Sequence, residues 1–364
     1  MKIALVTSNL RGGGAEKVFL RIASLLSARE HEVHVILLEH LVDHAVDPAL
    51  TVHGLTAPGQ PCRKGFIGKR VAAWRLRRLV RRLERDGAFD LIISTLPFAD
   101  EVAALAGLPR LWHRIANTLS AELRRLPAEK ARRRRERYRR LYDGAKLVAV
   151  SDGVARDLRE GLGLDRTQIV RIYNPLDVDA LRELAQAPQP EIPDRPYVIH
   201  VGRFAGQKRH DLLLDAWQRV RADMILVLLT QPEPALQAMI AERGLNDRVL
   251  IAGFQPNPYP WIARAQLLVL SSDHEGMPNV ILEAAALHTP VVSTDCPSGP
   301  REILGGACPE CLVPMNDATA LAEAIESALQ RRPAIENVDL SAFHAASVAQ
   351  AYERLATAGD GGMV

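Results

Sequence analysis

Two carboxylates, Glu275 and Glu283, stand eight positions apart around Gly276, Met277, Pro278 and Asn279. The apolar run at 266–270 ends in Ser271-Ser272-Asp273, which predicts a strand running into a loop. Pro278 suits the first turn of a helix, and Ala284-Ala285-Ala286 favours one. Glu275 then lies on the loop at the helix mouth, with Glu283 about one turn inside. Free amides at such a mouth hold an anion, and the two carboxylates can grip the hydroxyls of whatever carries it. Phosphate on the amides and sugar on the carboxylates describes a sugar nucleotide. Two acids at this spacing also occur on any solvated helix, so the pair needs company to mean chemistry.

Three further segments supply it. In Tyr197-Val198-Ile199-His200-Val201-Gly202 an apolar strand ends at a glycine, and Arg203 and Lys208 follow on a loop ahead of a helix over 211–217. A planar guanidinium fork and a point charge suit a diphosphate; alone they also read as two solvated cations. At the start of the chain a strand over 2–7 leads into Gly12-Gly13-Gly14-Ala15-Glu16 and a helix over 17–26. This is not G-x-G-x-x-G, so it does not read as a dinucleotide fingerprint. Glycine here permits close backbone approach. The fourth segment, Cys296-Pro297-Ser298-Gly299-Pro300-Arg301-Glu302, follows a strand over 290–294 and reads as a turn or a ligand contact.

These four segments, in this order, resemble glycosyltransferase family 4, the retaining enzymes of GT-B fold. Glu275 to Glu283 resembles the family's E-x7-E region, and 297–302 its P-x-G-x-x-E segment. The resemblance implies an α/β chain of two doubly wound, Rossmann-like parallel-sheet domains facing across a cleft. It implies that Arg203 and Lys208 neutralise the donor diphosphate as it leaves, and that Glu275 serves the reacting sugar. Glu283, Gly202, Gly276, Met277, Pro278 and Asn279 would hold the donor. The loop Gly12, Gly13, Gly14 and Glu16 would lie near sugar and acceptor. A histidine often contacts donor sugar and phosphate in the region of Leu111-Trp112-His113-Arg114, which makes His113 the candidate. The reaction implied is retaining transfer from a nucleotide sugar, UDP-linked before GDP-linked, to a lipid-linked or other cell-envelope saccharide. No metal or other cofactor is expected, because the two cations meet the leaving group's charge. A carboxylate nucleophile is the other route to retention. An epimerase or phosphorylase on the same fold is the enzymatic alternative. A non-catalytic nucleic-acid-binding or scaffold protein lies outside enzymes. Two differences from the family's pattern stand out: Thr230-Gln231-Pro232-Glu233-Pro234 and Gly305-Gly306-Ala307-Cys308-Pro309, where glycine turns are common.

The elements that must position these groups follow from periodicity. Strands are predicted over 2–7, 33–38, 91–95, 147–150, 198–201, 225–229, 249–252, 267–270 and 291–293, alternating with helices, which implies parallel sheets. All four segments sit at strand carboxyl ends, where ligands bind in such folds. The segment 185–196 is polar and holds four prolines. It predicts a linker between a domain at 1–184, for the acceptor, and one at 197–338, for the nucleotide sugar. The tail 339–364 carries a helical pattern over 340–355 and is expected to cross back to the first domain.

The 364 residues, 48% hydrophobic and 24% charged, suit two globular domains and argue against disorder. No apolar run reaches the roughly 20 residues that span a bilayer, and the chain opens straight into a strand with no visible secretory signal. Four cysteines, Cys62, Cys296, Cys308 and Cys311, are too few for a disulfide scaffold and fit a reducing cytoplasm. Cys308-Pro309-Glu310-Cys311 has metal-like spacing but lacks a second pair.

The net charge of +3 hides a split: residues 1–181 carry 32 Lys and Arg against 21 acids, and residues 182–364 carry 14 against 22. Two basic segments make most of it. Residues 63–85 hold ten Lys/Arg and one Glu, with Ala72, Leu76, Leu79, Val80 and Leu83 on one helical face. Residues 130–140 hold eight Lys/Arg and one Glu around Tyr138. They read either as solvated faces or as an attachment to anionic lipid head groups at the inner face of the cell membrane or to a lipid-linked diphosphate. Trp74 and Tyr138 form no stacking platform, so nucleic acid is not expected as a partner. Asp100-Glu101 reads as a helix cap or as an orienter of an acceptor hydroxyl.

Overall fold

The computed structural model describes residues 1–11, 13–62 and 65–358. It divides into two compact units, the first Met1–Pro175 with the returning residues 345–358, the second Leu176–His344. In the first, β1 (Lys2–Thr7), β2 (Glu32–Leu37), β3 (Thr51–Gly54), β4 (Leu91–Thr95), β5 (Leu111–Ile115), β6 (Lys146–Ala149) and β7 (Gln168–Arg171) form one sheet in the order β3-β2-β1-β4-β5-β6-β7. The second unit sets β8 (Tyr197–Val201), β9 (Ile225–Leu229), β10 (Val249–Ile251), β11 (Leu267–Leu270), β12 (Val291–Thr294) and β13 (Leu312–Val313) in the order β10-β9-β8-β11-β12-β13. All pairings are parallel. Strand order reverses between β1 and β4 in one sheet and between β8 and β11 in the other, so each unit has a switch point at its strand carboxyl ends.

Central strands are apolar on both faces because helices cover both. Ile3 and Leu5 point to a core shared with the helices Gly14–Ser27 and Ala345–Thr357. Ala4 and Val6, one residue out of step, point to a core shared with Phe66–Leu83 and Pro97–Ala106. All nine predicted strands are present, within about two residues at their ends. Four others are not apolar runs. Thr51–Gly54 and Gln168–Arg171 are half-exposed edge strands, Leu312–Val313 is two residues long, and Leu111–Ile115 carries His113 and Arg114 inside a buried strand.

The chain changes unit at Pro175–Leu176, ahead of the proline segment. The expected linker 185–196 instead belongs to the second unit. The helix Val178–Ala185 ahead of it is tied there: Arg182 Nε donates to the Ala286 carbonyl at 3.1 Å and its Nη2 meets His288 Nε2 at 2.9 Å. Prolines mark irregular backbone, and here that backbone is part of a domain. The returning helix Ala345–Thr357 buries Val348, Tyr352 and Leu355 in the first unit, and Glu353 pairs with Arg29 at 2.6 Å and His31 at 2.9 Å.

Of the basic segment, Arg63 and Lys64 lie outside the described residues. The remainder forms Phe66–Leu83, and its buried residues are Ala72, Ala73, Leu76, Leu79 and Val80. The predicted apolar face is therefore spent on the first unit's own core. A second apolar set faces outward on the same helix: Phe66 at 74%, Ile67 at 76% and Trp74 at 59% exposure, with Val71. Arg70 lies over the Phe66 ring and Arg78 over Trp74.

Candidate functional site

At the second unit's switch point, β8 runs into Gly202-Arg203 and β11 into Ser271 to Pro278. The two loops are laced together. Ser271 Oγ donates to the Lys208 carbonyl at 2.8 Å, Asp273 N to the Gln207 carbonyl at 2.9 Å, and Gln207 Nε2 to the His274 carbonyl at 2.6 Å. Lys208 Nζ then meets Glu275 Oε1 at 2.7 Å, with side-chain exposures of 19% and 9%. Two segments sixty-seven residues apart in sequence thus share one ion pair. Arg203, in the same loop, is exposed and makes no hydrogen bond or ion pair among the described residues. Arg209 was missed by sequence reasoning. It bends the chain at φ +50° and binds Asp211 and, at 2.8 Å, Asp273. The signal was present as a third cation two residues before an acid.

The helix Asn279–Ala286 starts at Pro278 with no capping side chain, which leaves its mouth suited to an anion. Glu275, Gly276, Met277 and Pro278 are buried at that mouth, and Asn279 is half-buried. Glu283 is buried one turn in, and Tyr259 donates its hydroxyl to Glu283 Oε1 at 3.3 Å. The 296–302 segment braces the mouth from the other side. Glu275 N donates to the Pro297 carbonyl at 3.1 Å, and Gly299 has φ +102°. A Cβ at Gly299 would stand 2.2 Å from Pro278 Cδ, so glycine is required there twice over.

In the first unit Gly13 precedes the helix Gly14–Ser27, and Glu16 lies in its first turn; Gly12 falls outside the described residues. A Cβ at Gly13 would meet the Glu16 carboxylate, a flexible side-chain end that can move aside. His113 is not at an open surface. It is 3% exposed, its Nδ1 meets Ser94 Oγ at 2.7 Å, and its ring packs edge-on against Tyr142. Ser94 Oγ donates to Asp100 Oδ1 at 2.5 Å and Tyr142 OH to Asp100 Oδ2 at 2.7 Å. The expected donor contact by His113 gives way to a buried network, because β5 is a central strand and its side chains are enclosed. Asp100 belongs to that network and caps nothing, since Leu96 holds the N-cap. Glu101 instead meets Lys69 at 2.6 Å and Arg137 at 2.9 Å. Cys308, Glu310 and Cys311 form a tight turn with their ligand atoms within 4.8 Å of one another. Burial pushes the Cys311 thiol up to about 12.

A family model described as "Glycosyl transferases group 1" matches residues 195–331, and one described as "Glycosyltransferase Family 4" matches residues 12–180. The chain is 26% identical over 339 residues to N-acetylgalactosamine-N,N'-diacetylbacillosaminyl-diphospho-undecaprenol 4-alpha-N-acetylgalactosaminyltransferase of Campylobacter jejuni, covering 90% of each. It is 32% identical over 167 residues to the lipopolysaccharide 1,6-galactosyltransferase of Escherichia coli, covering 43% of this chain and 45% of that one. Among solved structures, sucrose-phosphate synthase from Thermosynechococcus elongatus superposes with a TM-score of 0.74 at 18% identity, covering 98% and 96% of the two chains. HepE from Anabaena in complex with UDP-glucose does so with a TM-score of 0.69 at 21% identity, covering 97% and 94%. At those identities the structural likeness shows the fold, two parallel-sheet domains of GT-B type.

Beneath the Arg203–Lys208 loop lie two histidines with unmet nitrogens. His200 Nδ1 donates to the Val269 carbonyl at 2.9 Å, but His200 Nε2 and both nitrogens of His210 have no partner among the described residues. The rings meet edge to face at 4.8 Å, with Phe204 against His210. Burial, aided by Lys208, holds His200 well below its ordinary value and brings His210 to about 4, against a smaller opposing pull from Asp211. Both rings are neutral when folded, whereas the unfolded chain takes up protons near 6.5. Their contribution to stability is therefore complete above about 6.5 and is lost as the pH falls toward about 4. His210→Leu should flatten the acid side of a melting-temperature profile. An unchanged slope between neutral and pH 4 would show that the pair does not set it.

Proposed function

The chain belongs to glycosyltransferase family 4, and on that premise we propose how it grips its donor, what it accepts and where it works. The donor is a UDP-sugar, a reading supported by the UDP-glucose held in HepE. The diphosphate lies at the mouth of Asn279–Ala286, against Arg203 and Lys208. Glu283 holds the ribose and Glu275 the transferred sugar. The acceptor is a lipid-linked or lipopolysaccharide saccharide, supported by the names of the Campylobacter and Escherichia relatives. The epimerase, phosphorylase and nucleic-acid readings have no support in these likenesses.

One observation carries the donor reading: Lys208 is already paired with a carboxylate of the E-x7-E segment, while Arg203 in the same loop is unpaired among the described residues. Arriving diphosphate gives Lys208 a second anion and Arg203 its first. As the bond from the anomeric carbon to the phosphate oxygen breaks, the pair of electrons goes to that oxygen, and both cations meet its growing charge. The acceptor's oxygen bonds to the anomeric carbon on the face the phosphate leaves and gives its proton to that phosphate oxygen, so configuration is retained. The scheme requires no metal, because Arg203 and Lys208 supply the positive charge.

The chain works against an anionic membrane. Among the described residues no helix is long and apolar enough to cross one. The supporting feature is the exposed Phe66, Ile67, Val71 and Trp74 set among arginines on Phe66–Leu83. Cations reach lipid head groups while rings enter the boundary beneath them.

Two measurements test these readings. Arg203→Ala and Lys208→Ala should each slow transfer from a UDP-sugar on the order of 10²-fold or more while melting near the parent temperature; near-normal turnover in both would remove the donor assignment. In vesicle co-sedimentation the chain should bind anionic but not neutral lipid, and Phe66→Ser with Trp74→Ser should weaken that binding. Salt should reduce it as the Debye length falls from about 10 Å to about 3 Å. Equal binding to neutral vesicles, or indifference to the double substitution, would reject this docking face.

A further inference from the structure

The run Cys308-Pro309-Glu310-Cys311 has no part in the transfer described above. It joins the helix Pro300–Leu304 to β13 within the second unit. Cys308 N donates to the Leu304 carbonyl at 2.7 Å, and Cys311 N to the Cys308 carbonyl at 3.0 Å. The second bond closes a single 3₁₀ turn, Pro309–Cys311. Residues three apart in such a turn eclipse one another, so both thiols fall on one side of it. The Glu310 carboxylate completes the group: one of its oxygens and the two sulfurs all lie within 4.8 Å of one another. Both cysteines are free and buried, and Glu310 is exposed.

The surroundings of the two thiols favour protons over thiolates. The Cys308 sulfur donates to the Ala334 carbonyl at 3.4 Å, and the thiols bond each other. The charged side chains that act on them are Glu310 and Glu336, both carboxylates. Burial first, and then this negative surrounding, raises both thiols, Cys311 to about 12. Thiols kept protonated in this way are poor nucleophiles, which disfavours exchange into a disulfide. A divalent cation reverses the balance. It displaces the two protons to solvent, holds both sulfurs as thiolates and neutralises the carboxylate beside them. Two sulfurs and one oxygen suit a borderline-soft ion with no geometric preference of its own, which is the description of zinc. Zinc–sulfur bonds of about 2.3 Å at a tetrahedral angle set the sulfurs about 3.8 Å apart, so the group needs to close by no more than about 1 Å.

We propose that Cys308, Cys311 and Glu310 bind one zinc ion, which locks the turn between the helix Pro300–Leu304 and β13. Because Glu310 faces solvent, the ion's fourth place opens to water. The ion is structural and takes no part in transfer, where Arg203 and Lys208 supply the charge. The helix Pro300–Leu304 begins inside the 296–302 segment that braces the mouth of Asn279–Ala286, and the ion holds the far end of that helix. The inference stands independently of the donor reading.

The test uses the full chain, reduced with a phosphine, stripped with EDTA and then freed of it. Zinc chloride should bind at one ion per chain and raise the melting temperature. Cobalt(II) in its place should show a thiolate-to-cobalt charge-transfer band, which ligation by histidine or carboxylate alone does not give. Cys308→Ser and Cys311→Ser should each lose most of that band. Glu310→Gln changes only an exposed side chain, so it tests the site without disturbing the core, and it should weaken zinc binding at least about tenfold. Glu323→Gln, an exposed acid on the helix Ala318–Arg331, should leave zinc binding unchanged. No zinc bound by the reduced chain, cobalt bound without the charge-transfer band, or parent affinity in Glu310→Gln would each overturn the inference. So would a Cys308–Cys311 disulfide that forms in air with zinc present, since a thiolate pair held by the ion is not free to oxidise.

Discussion

The ion pair between Lys208 and Glu275 holds the second unit's candidate site together. Two mostly buried charges of opposite sign are stable only as a pair, because removing either leaves the other uncompensated in a low-dielectric site. The pair therefore fixes the distance between the loop after β8 and the loop after β11. Everything near it serves that fit. Ser271, Asp273 and Gln207 stitch the same two loops, Arg209 anchors the end of the first, and Gly299 lets the 296–302 segment close on Pro278. The unmatched cation, Arg203, is left where a diphosphate would complete the charge count.

The two units repeat one architecture with opposite electrostatic character. Each is a doubly wound sheet with a switch point, but the first carries the surplus of Lys and Arg and the second the surplus of acids. In the second unit the switch point presents an unbalanced cation beside a helix mouth, which suits a diphosphate. In the first, the cations that reach the switch point, Lys69 and Arg137, are already paired with Glu101. Many of its other arginines lie on the helices Phe66–Leu83 and Ala128–Tyr142, the first of which also carries the exposed Phe66 and Trp74 rings. A charge total of +3 conceals this division, and it becomes visible only residue by residue.

Most of the segments that meet at the second unit's candidate site were legible in the sequence because their residues are close in sequence and punctuated by glycine and proline. Glu275 to Glu283 spans a loop and one helix turn, and Gly202 to Lys208 a single loop. The joining of these segments was not legible, since it depends on β8 pairing with β11. His113 was misjudged for a different reason. It was a candidate through the family resemblance alone, which says nothing of burial, and β5 is a central strand whose histidine meets Ser94 and packs on Tyr142. The prolines at 188–196 misled in the other direction, because what anchors that region is Arg182 reaching Ala286, a contact over a hundred residues long. The basic helix was legible as amphipathic, but not as having two apolar faces. Periodicity finds the stripe that packs on the core and passes over Phe66, Ile67 and Trp74, whose exposure only the fold decides.

The claim at the centre of this account is that a nucleotide diphosphate completes the charge pattern between the loops after β8 and β11. Hydrogen exchange read by mass spectrometry, with and without UDP, tests it directly. UDP should slow exchange across 202–211 and 273–284 together, because one ligand would bridge both loops and order the mouth of Asn279–Ala286. Protection confined to other segments, or to one of these loops without the other, would contradict it.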